Sequence, residues 1–125
     1  MKKWYLLFLI LSFNENSFSQ HNEQELEGKW FVKNTDNSTI TVDVYKAKNG
    51  FYYGKIIKSS KEGLINKIIL NEIAYDKKSG AYKGIIIKPD NGMTASATLT
   101  FKDSNTLMVV GKKLFFTKTL TWVKL

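Results

Sequence analysis

The chain has 125 residues, with 19 lysines and no arginine, one histidine, one proline and no cysteine, and a formal charge of +8 at pH 7. That length holds one domain, the missing cysteine excludes disulfide frameworks, thiolate zinc sites and cysteine nucleophiles, and a lone histidine excludes a multi-histidine metal centre. A hydrophobic fraction of 43% with 14% aromatics belongs to a folded chain rather than a disordered one.

The first element in chain order does not read as part of a fold. Lys2 and Lys3 precede an apolar stretch from Trp4 to Leu11, after which the chain turns polar through Asn14, Glu15 and Asn16. A basic start, an apolar core of about ten residues and small residues at −3 and −1 describe a secretory signal peptide. Ser17 and Ser19 are those small residues, so residues 1–19 are expected to be removed between Ser19 and Gln20. A membrane anchor needs about twenty apolar residues, and this run has roughly half that number. The absence of cysteine rules out a lipid-modified N-terminal cysteine, and no later segment is long and apolar enough to span a bilayer as a helix. Residues 20–125 are therefore expected to be one soluble domain in the periplasm or outside the cell, and losing Lys2, Lys3 and Glu15 leaves 17 lysines against 10 acids, or +7 on 106 residues.

His21 follows, close to Glu23, Glu25 and Glu27. Imidazole and carboxylates can hold a metal, but a terminal segment with no second histidine reads better as a short helical turn leading into Trp30, with acids near its start. From Gly28 onward β-branched and aromatic residues dominate, and turn signals recur every eight to twelve residues. Thr39 to Val44 alternates strictly, apolar on the even numbers, and places Asp43 outward. Lys48-Asn49-Gly50 is a hairpin turn, and Phe51 to Lys58 is the returning strand. Ser60 to Ile73 is ambiguous, because Leu64, Ile65, Ile68, Ile69 and Ile73 fit a helical face about as well as a strand. Lys77-Lys78-Ser79-Gly80 turns into Ala81 to Ile87. Pro89-Asp90-Asn91-Gly92 is the next turn, with proline fixing φ early and glycine closing it. Ala95, Ala97, Leu99 and Phe101 then alternate with threonine and serine. Lys102 to Asn105 turns into Thr106 to Val110, Lys112-Lys113 is placed in a turn, and Leu114 to Val123 closes the chain.

About eight short strands joined by tight turns leave two exposed edges unless the sheet closes. The expected fold is therefore all-β, a small antiparallel meander barrel rather than a sandwich, although alternation alone fits both. A barrel of that size either fills with side chains or holds one small ligand.

Gly28-Lys29-Trp30 opens the first strand and Thr121-Trp122-Val123-Lys124 ends the last. This pairing resembles the calycin, or lipocalin-like, barrel pattern, in which the tryptophan plugs the closed end. Together with Gly50 to Ile57, Gly84 to Ser96 around the Pro89–Gly92 turn, and Leu107 to Lys124, the chain resembles the bacterial domain-of-unknown-function family 2147. It departs from that family's pattern at Met93 and Ala95, and at Lys124, where arginine is usual. The resemblance implies an exported barrel in which Gly28, Trp30, Trp122 and Lys124 form the plug. It implies no chemistry.

No nucleophile–base spacing, phosphate-cradling loop or metal motif is visible, so no enzymatic activity, cofactor or metal is expected. Asp76, Asp90 and Asp103 read as turn formers. Nucleic acid is not an expected partner, because the protein is exported, arginine is absent and the lysines are dispersed. Tyr45, Tyr53, Tyr75, Tyr82 and Phe116 are the candidates for lining a ligand cavity, with a packed core as the alternative reading. The leading expectation is a monomer that binds a small apolar or amphipathic molecule in the envelope. The alternative is a filled barrel whose exposed tyrosines and lysines contact envelope protein or glycan, and hydrolysis comes third.

Overall fold

Apolar residues spaced two apart and interrupted by Asn, Asp and Gly form eight strands: β1 (Gly28–Lys33), β2 (Thr39–Lys46), β3 (Tyr52–Ser59), β4 (Ile68–Asp76), β5 (Ala81–Ile87), β6 (Thr94–Asp103), β7 (Thr106–Lys113) and β8 (Phe116–Lys124). The structure is a computed structural model that describes residues 25–125. The expected signal peptide, its expected Ser19/Gln20 junction, His21 and Glu23 lie outside the described residues. Glu25 to Glu27, the described part of the lead-in expected to be a helical turn, is not helical.

Each strand pairs antiparallel with its sequence neighbours, and β1 pairs with β8, so the meander closes into a barrel. Closure removes the two edges an open sheet would expose. It is achieved by Trp30↔Lys124, Phe31↔Val123 and Val32↔Trp122. The turns β2–β3, β4–β5 and β6–β7 lie at one end with both chain ends of the barrel. The β1–β2, β3–β4, β5–β6 and β7–β8 connections form the opposite rim.

Alternation sorts the two faces. Trp30, Val32, Ile40, Val42, Val44, Ile56, Leu70, Ile73, Tyr82, Ala97, Leu99, Leu107, Val109 and Trp122 are buried and form one cluster with Leu26 and Leu64. The outer face carries polar rows such as Lys29, Asp43 and Lys55, side by side across β1, β2 and β3. Exposed Phe31, Ile85 and Val123 interrupt these polar rows on the same outer face. No helix among the described residues is long and apolar enough to cross a membrane.

The segment that reads equally as helix or strand divides in two: 60–67 is a loop and Ile68–Asp76 is β4. A β-bulge between Asn71 and Ala74, with Glu72 at φ +50°, puts one extra residue into the strand. Leu70 and Ile73 therefore both face inward although they differ in parity. The bulge leans on Gly84 of β5, where an added Cβ would lie 2.7 Å from the Glu72 carbonyl oxygen and 2.6 Å from Ile73 Cδ1.

The turn aspartates stabilise loops electrostatically. Asp36 accepts from Lys61 at 2.8 Å and from the Ser38 amide at 2.9 Å. The Lys61 contact, then Ser38, hold its carboxyl well below the ordinary value. Asp76 is lowered first by the Ser79 hydroxyl, and Asp103 first by the Asn105 amide. Groups whose pKa falls on folding contribute stability above their unfolded value, near 3.8, and lose it as pH falls through the folded value. These three groups should therefore leave the thermal midpoint level from about pH 5 to 8 and lower it modestly below about pH 4, the size limited by solvent screening. Calorimetry across that range checks this, and the Asp36→Asn variant should lose part of the acid dependence.

Candidate functional site

At the end where the chain enters the barrel, Gly28 has φ +139°, and a Cβ on it would meet Lys124 Cε at 2.9 Å. The glycine therefore both supplies the backbone conformation and clears a path for the lysine. Lys124 Nζ lies 5.4 Å from the centre of the Trp30 ring and donates to the Glu25 carbonyl at 3.4 Å. Trp30, fully buried, donates from Nε1 to the Leu26 carbonyl at 3.0 Å. Lysine thus places a point charge on the indole where arginine would stack a planar group. Trp122 is buried beside it, opposite Val32 and Leu107, and its Nε1 has no hydrogen-bond partner among the described residues.

At this same end of the barrel, rings pack against one another across the interior. Trp30 meets Phe101 edge-on at 5.9 Å, Phe101 meets Tyr82 at 6.4 Å, and Tyr82 meets Tyr52 at 5.6 Å and Tyr75 at 5.2 Å. Away from the rings, the small inner residues are covered by large neighbours. A Cβ on Gly54 would lie 3.0 Å from Val42 and 3.1 Å from Leu70, and one on Gly111 would lie 3.3 Å from Ile86.

The five residues expected to line a cavity do not share one. Tyr75 and Tyr82 are inside, as part of the ring cluster. Tyr45 and Tyr53 face each other across β2 and β3 on the outer side, stacked at 6.1 Å with 24° between planes. Asn49 of the β2–β3 turn donates to the Tyr53 hydroxyl at 2.9 Å. Phe116 is 79% exposed at the start of β8, beyond the packed interior. Tyr52 and Phe101 take the inward places instead. Tyr52 is in phase with buried Gly54 and Ile56, and Phe101 is in phase with Ala97 and Leu99; those periodicities identify both residues.

The opposite rim is tied loop to loop. Lys61 of the β3–β4 loop pairs with Asp36 of the β1–β2 loop, and Lys67 donates to the Pro89 carbonyl at 3.0 Å. Pro89-Asp90-Asn91-Gly92 forms the β5–β6 turn, closed by Gly92 N to Lys88 O at 2.8 Å with Gly92 at φ +77°. Lys112 and Lys113 are not in a turn. They end β7, and the turn is Leu114-Phe115, with Leu114 at φ +53°. A shallow depression of about 400 Å3 lies on the outer face among Phe31, Thr41, Lys58 and Leu125.

Among the described residues, no three of His, Cys, Asp and Glu stand close enough to hold a metal ion. The described residues present a stacked tyrosine pair on the outer wall and a rim that mixes lysine with exposed apolar side chains. A family model described as "Uncharacterized protein conserved in bacteria (DUF2147)" matches residues 28–124, which is the barrel from the first residue of β1 to the last of β8. No curated protein and no solved structure matches the chain.

Proposed function

The chain belongs to DUF2147, a bacterial family of uncharacterised proteins, and from that premise we propose that it is an exported, monomeric, non-enzymatic barrel that acts through its outer surface on an envelope protein or glycan. The observation that carries this reading is the packed interior. Tyr52, Tyr75, Tyr82, Phe101 and Trp30 touch ring to ring, and Gly54, Gly84 and Gly111 have neighbours within 3.3 Å of where a methyl would sit. Side chains so placed occupy the volume a carried molecule would need. The outward Tyr45–Tyr53 stack offers flat, amphipathic area with polar tips, of the kind that packs on sugar faces and protein surfaces.

A small apolar or amphipathic ligand inside the barrel is the second reading. It rests on the Trp122 N–H, a buried donor with no partner among the described residues, which a polar atom of a ligand would satisfy.

Affinity retention tests the first reading. Protein recovered from the exported fraction, immobilised, should hold an envelope polysaccharide or protein, and replacing Tyr45 and Tyr53 with alanine should weaken retention by about tenfold, one to two kcal/mol for lost aromatic contacts. N-terminal sequencing of the same protein should begin at Gln20. Retention of Met1 in a cytosolic pool would overturn the export reading, and a double variant that binds as tightly as the parent would remove the tyrosine surface.

A further inference from the structure

The β7–β8 turn is built from residues that turns ordinarily avoid. The register Lys113↔Phe116 leaves Leu114 and Phe115 as a two-residue loop, and Leu114 holds φ +53°. Such loops take Gly, Asn or Asp because those residues accept positive φ with little strain. This chain uses them at its other tight turns, with Asn49-Gly50, Gly80 and Asn91-Gly92. At β7–β8 it instead places three large apolar side chains in a row. Leu114 is 80% exposed, Phe115 96% and Phe116 79%. A strained, solvent-facing leucine followed by two phenylalanines satisfies no local rule of turn formation or core packing, which is the circumstance in which an outlier points to function.

Charge gives the partner its chemistry. Lys112, Lys113 and Lys118 flank the tip within β7 and β8. From Asn91 to the C-terminus the only acid is Asp103, and it lies in the last residue of β6, at the other end of the barrel. The rim's remaining carboxylates are on other loops: Asp36, which is paired with Lys61, and Glu62 and Asp90. Met93, 51% exposed, follows the β5–β6 turn on the same rim. An apolar tip with a collar of lysines and no acid of its own matches an anionic bilayer, with phenylalanine and leucine entering the acyl boundary and ammonium groups meeting lipid phosphates.

We infer that the Leu114-Phe115-Phe116 tip with Lys112, Lys113 and Lys118 is a docking site for anionic lipid surfaces. It holds the barrel by one rim and leaves the Tyr45–Tyr53 wall free to face another partner. This inference does not depend on the surface reading above, because it concerns the opposite end of the molecule and a different chemistry.

The chain has no cysteine, so a Thr117→Cys substitution accepts one environment-sensitive fluorophore beside the tip, and Ser104→Cys accepts one at the opposite end. Phosphatidylglycerol vesicles should blue-shift the first label and not the second, phosphatidylcholine vesicles should shift neither, and about 0.5 M salt should weaken binding at least several-fold. A second variant, Leu114→Gly with Phe115→Asn and Phe116→Thr, puts glycine where φ is positive and so keeps the turn. It should fold at least as stably as the parent and bind phosphatidylglycerol vesicles about tenfold or more weakly. Equal vesicle binding by that folded variant, a shift at Ser104→Cys instead of Thr117→Cys, or a tip that captures a soluble envelope protein but no vesicle would each overturn the inference. Loss of glycan or protein retention in the Tyr45/Tyr53 variant with vesicle binding intact separates the two surfaces.

Discussion

Truncation of Trp30 to alanine is expected to lower the unfolding free energy by about 3–5 kcal/mol, a large share of the 5–15 kcal/mol a domain of this kind has in total. The residue is fully buried, donates to the Leu26 carbonyl, carries the Lys124 ammonium over its ring and meets Phe101 edge-on. Removing it opens a cavity at the barrel end and leaves the Leu26 carbonyl without its donor. Leu26 itself is fully buried in the same cluster as Trp30. A denaturant melt should show a lower midpoint with little change in slope. Phenylalanine at the two tryptophans separates the contributions. Trp30→Phe loses a hydrogen bond worth about 1 kcal/mol in addition to ring volume. Trp122→Phe loses volume but removes an N–H that has no partner among the described residues, so it should be the milder change. Equal losses at both positions would mean that the Leu26 bond contributes nothing.

The second large effect is expected at Gly84. An added Cβ would lie 2.7 Å from the Glu72 carbonyl oxygen and 2.9 Å from Ile73 Cα. Both are backbone atoms of the β4 bulge, so no side-chain rotation relieves the contact. Either the bulge moves, taking Ile73 out of the core, or the β4–β5 ladder parts. Gly84→Ala should therefore cost about 3 kcal/mol, at the upper end for overpacking. Gly111→Ala is the control. Its nearest neighbour is Ile86 Cγ2 at 3.3 Å, a side-chain methyl that can yield, and the cost should be about 1 kcal/mol or less. Similar losses at the two positions would argue against the packed bulge.

The bulge also explains where sequence reading met its limit. One extra residue at Glu72 puts Leu70 and Ile73 on one face at a helix-like spacing of three, at the end of a stretch in which Leu64, Ile65, Ile68, Ile69 and Ile73 fit a helical face as well as a strand. Elsewhere period two was legible, because Thr39–Val44 and Thr94–Phe101 follow the pleat without interruption. The other strands are placed by the turn residues between them, such as Lys48-Asn49-Gly50 and Lys77-Lys78-Ser79-Gly80, rather than by alternation. The β7–β8 turn was not legible, since Leu114-Phe115 carries no turn residue and its positive φ cannot be read from leucine. For the same reason Lys112 and Lys113 read as a turn, although they only precede it.

Faces were harder to read than strands. Tyr52 and Tyr53 are adjacent, and one points in while the other points out; composition marks both as aromatic, and only the phase set by Gly54 and Ile56 distinguishes them. Phe116 has the parity of inward Leu120 and Trp122 but lies past the end of the packed interior, where parity no longer implies burial. The grouping of Gly28, Trp30 and Lys124 came from the family resemblance and not from spacing or composition. Gly28, Trp30 and Lys124 sit at strand ends that closure brings together, and the β1–β8 register then sets Lys124 opposite Trp30.

An interior filled by the protein's own side chains leaves no room for a carried molecule, and function proposed for the outer wall and rim requires that filling. Native mass spectrometry of the protein, expressed with its full sequence and purified without detergent, tests this directly. The account predicts one species, with the mass of residues 20–125 and nothing bound. A stoichiometric mass increment that persists under gentle activation and is released as a small apolar molecule on unfolding would contradict it.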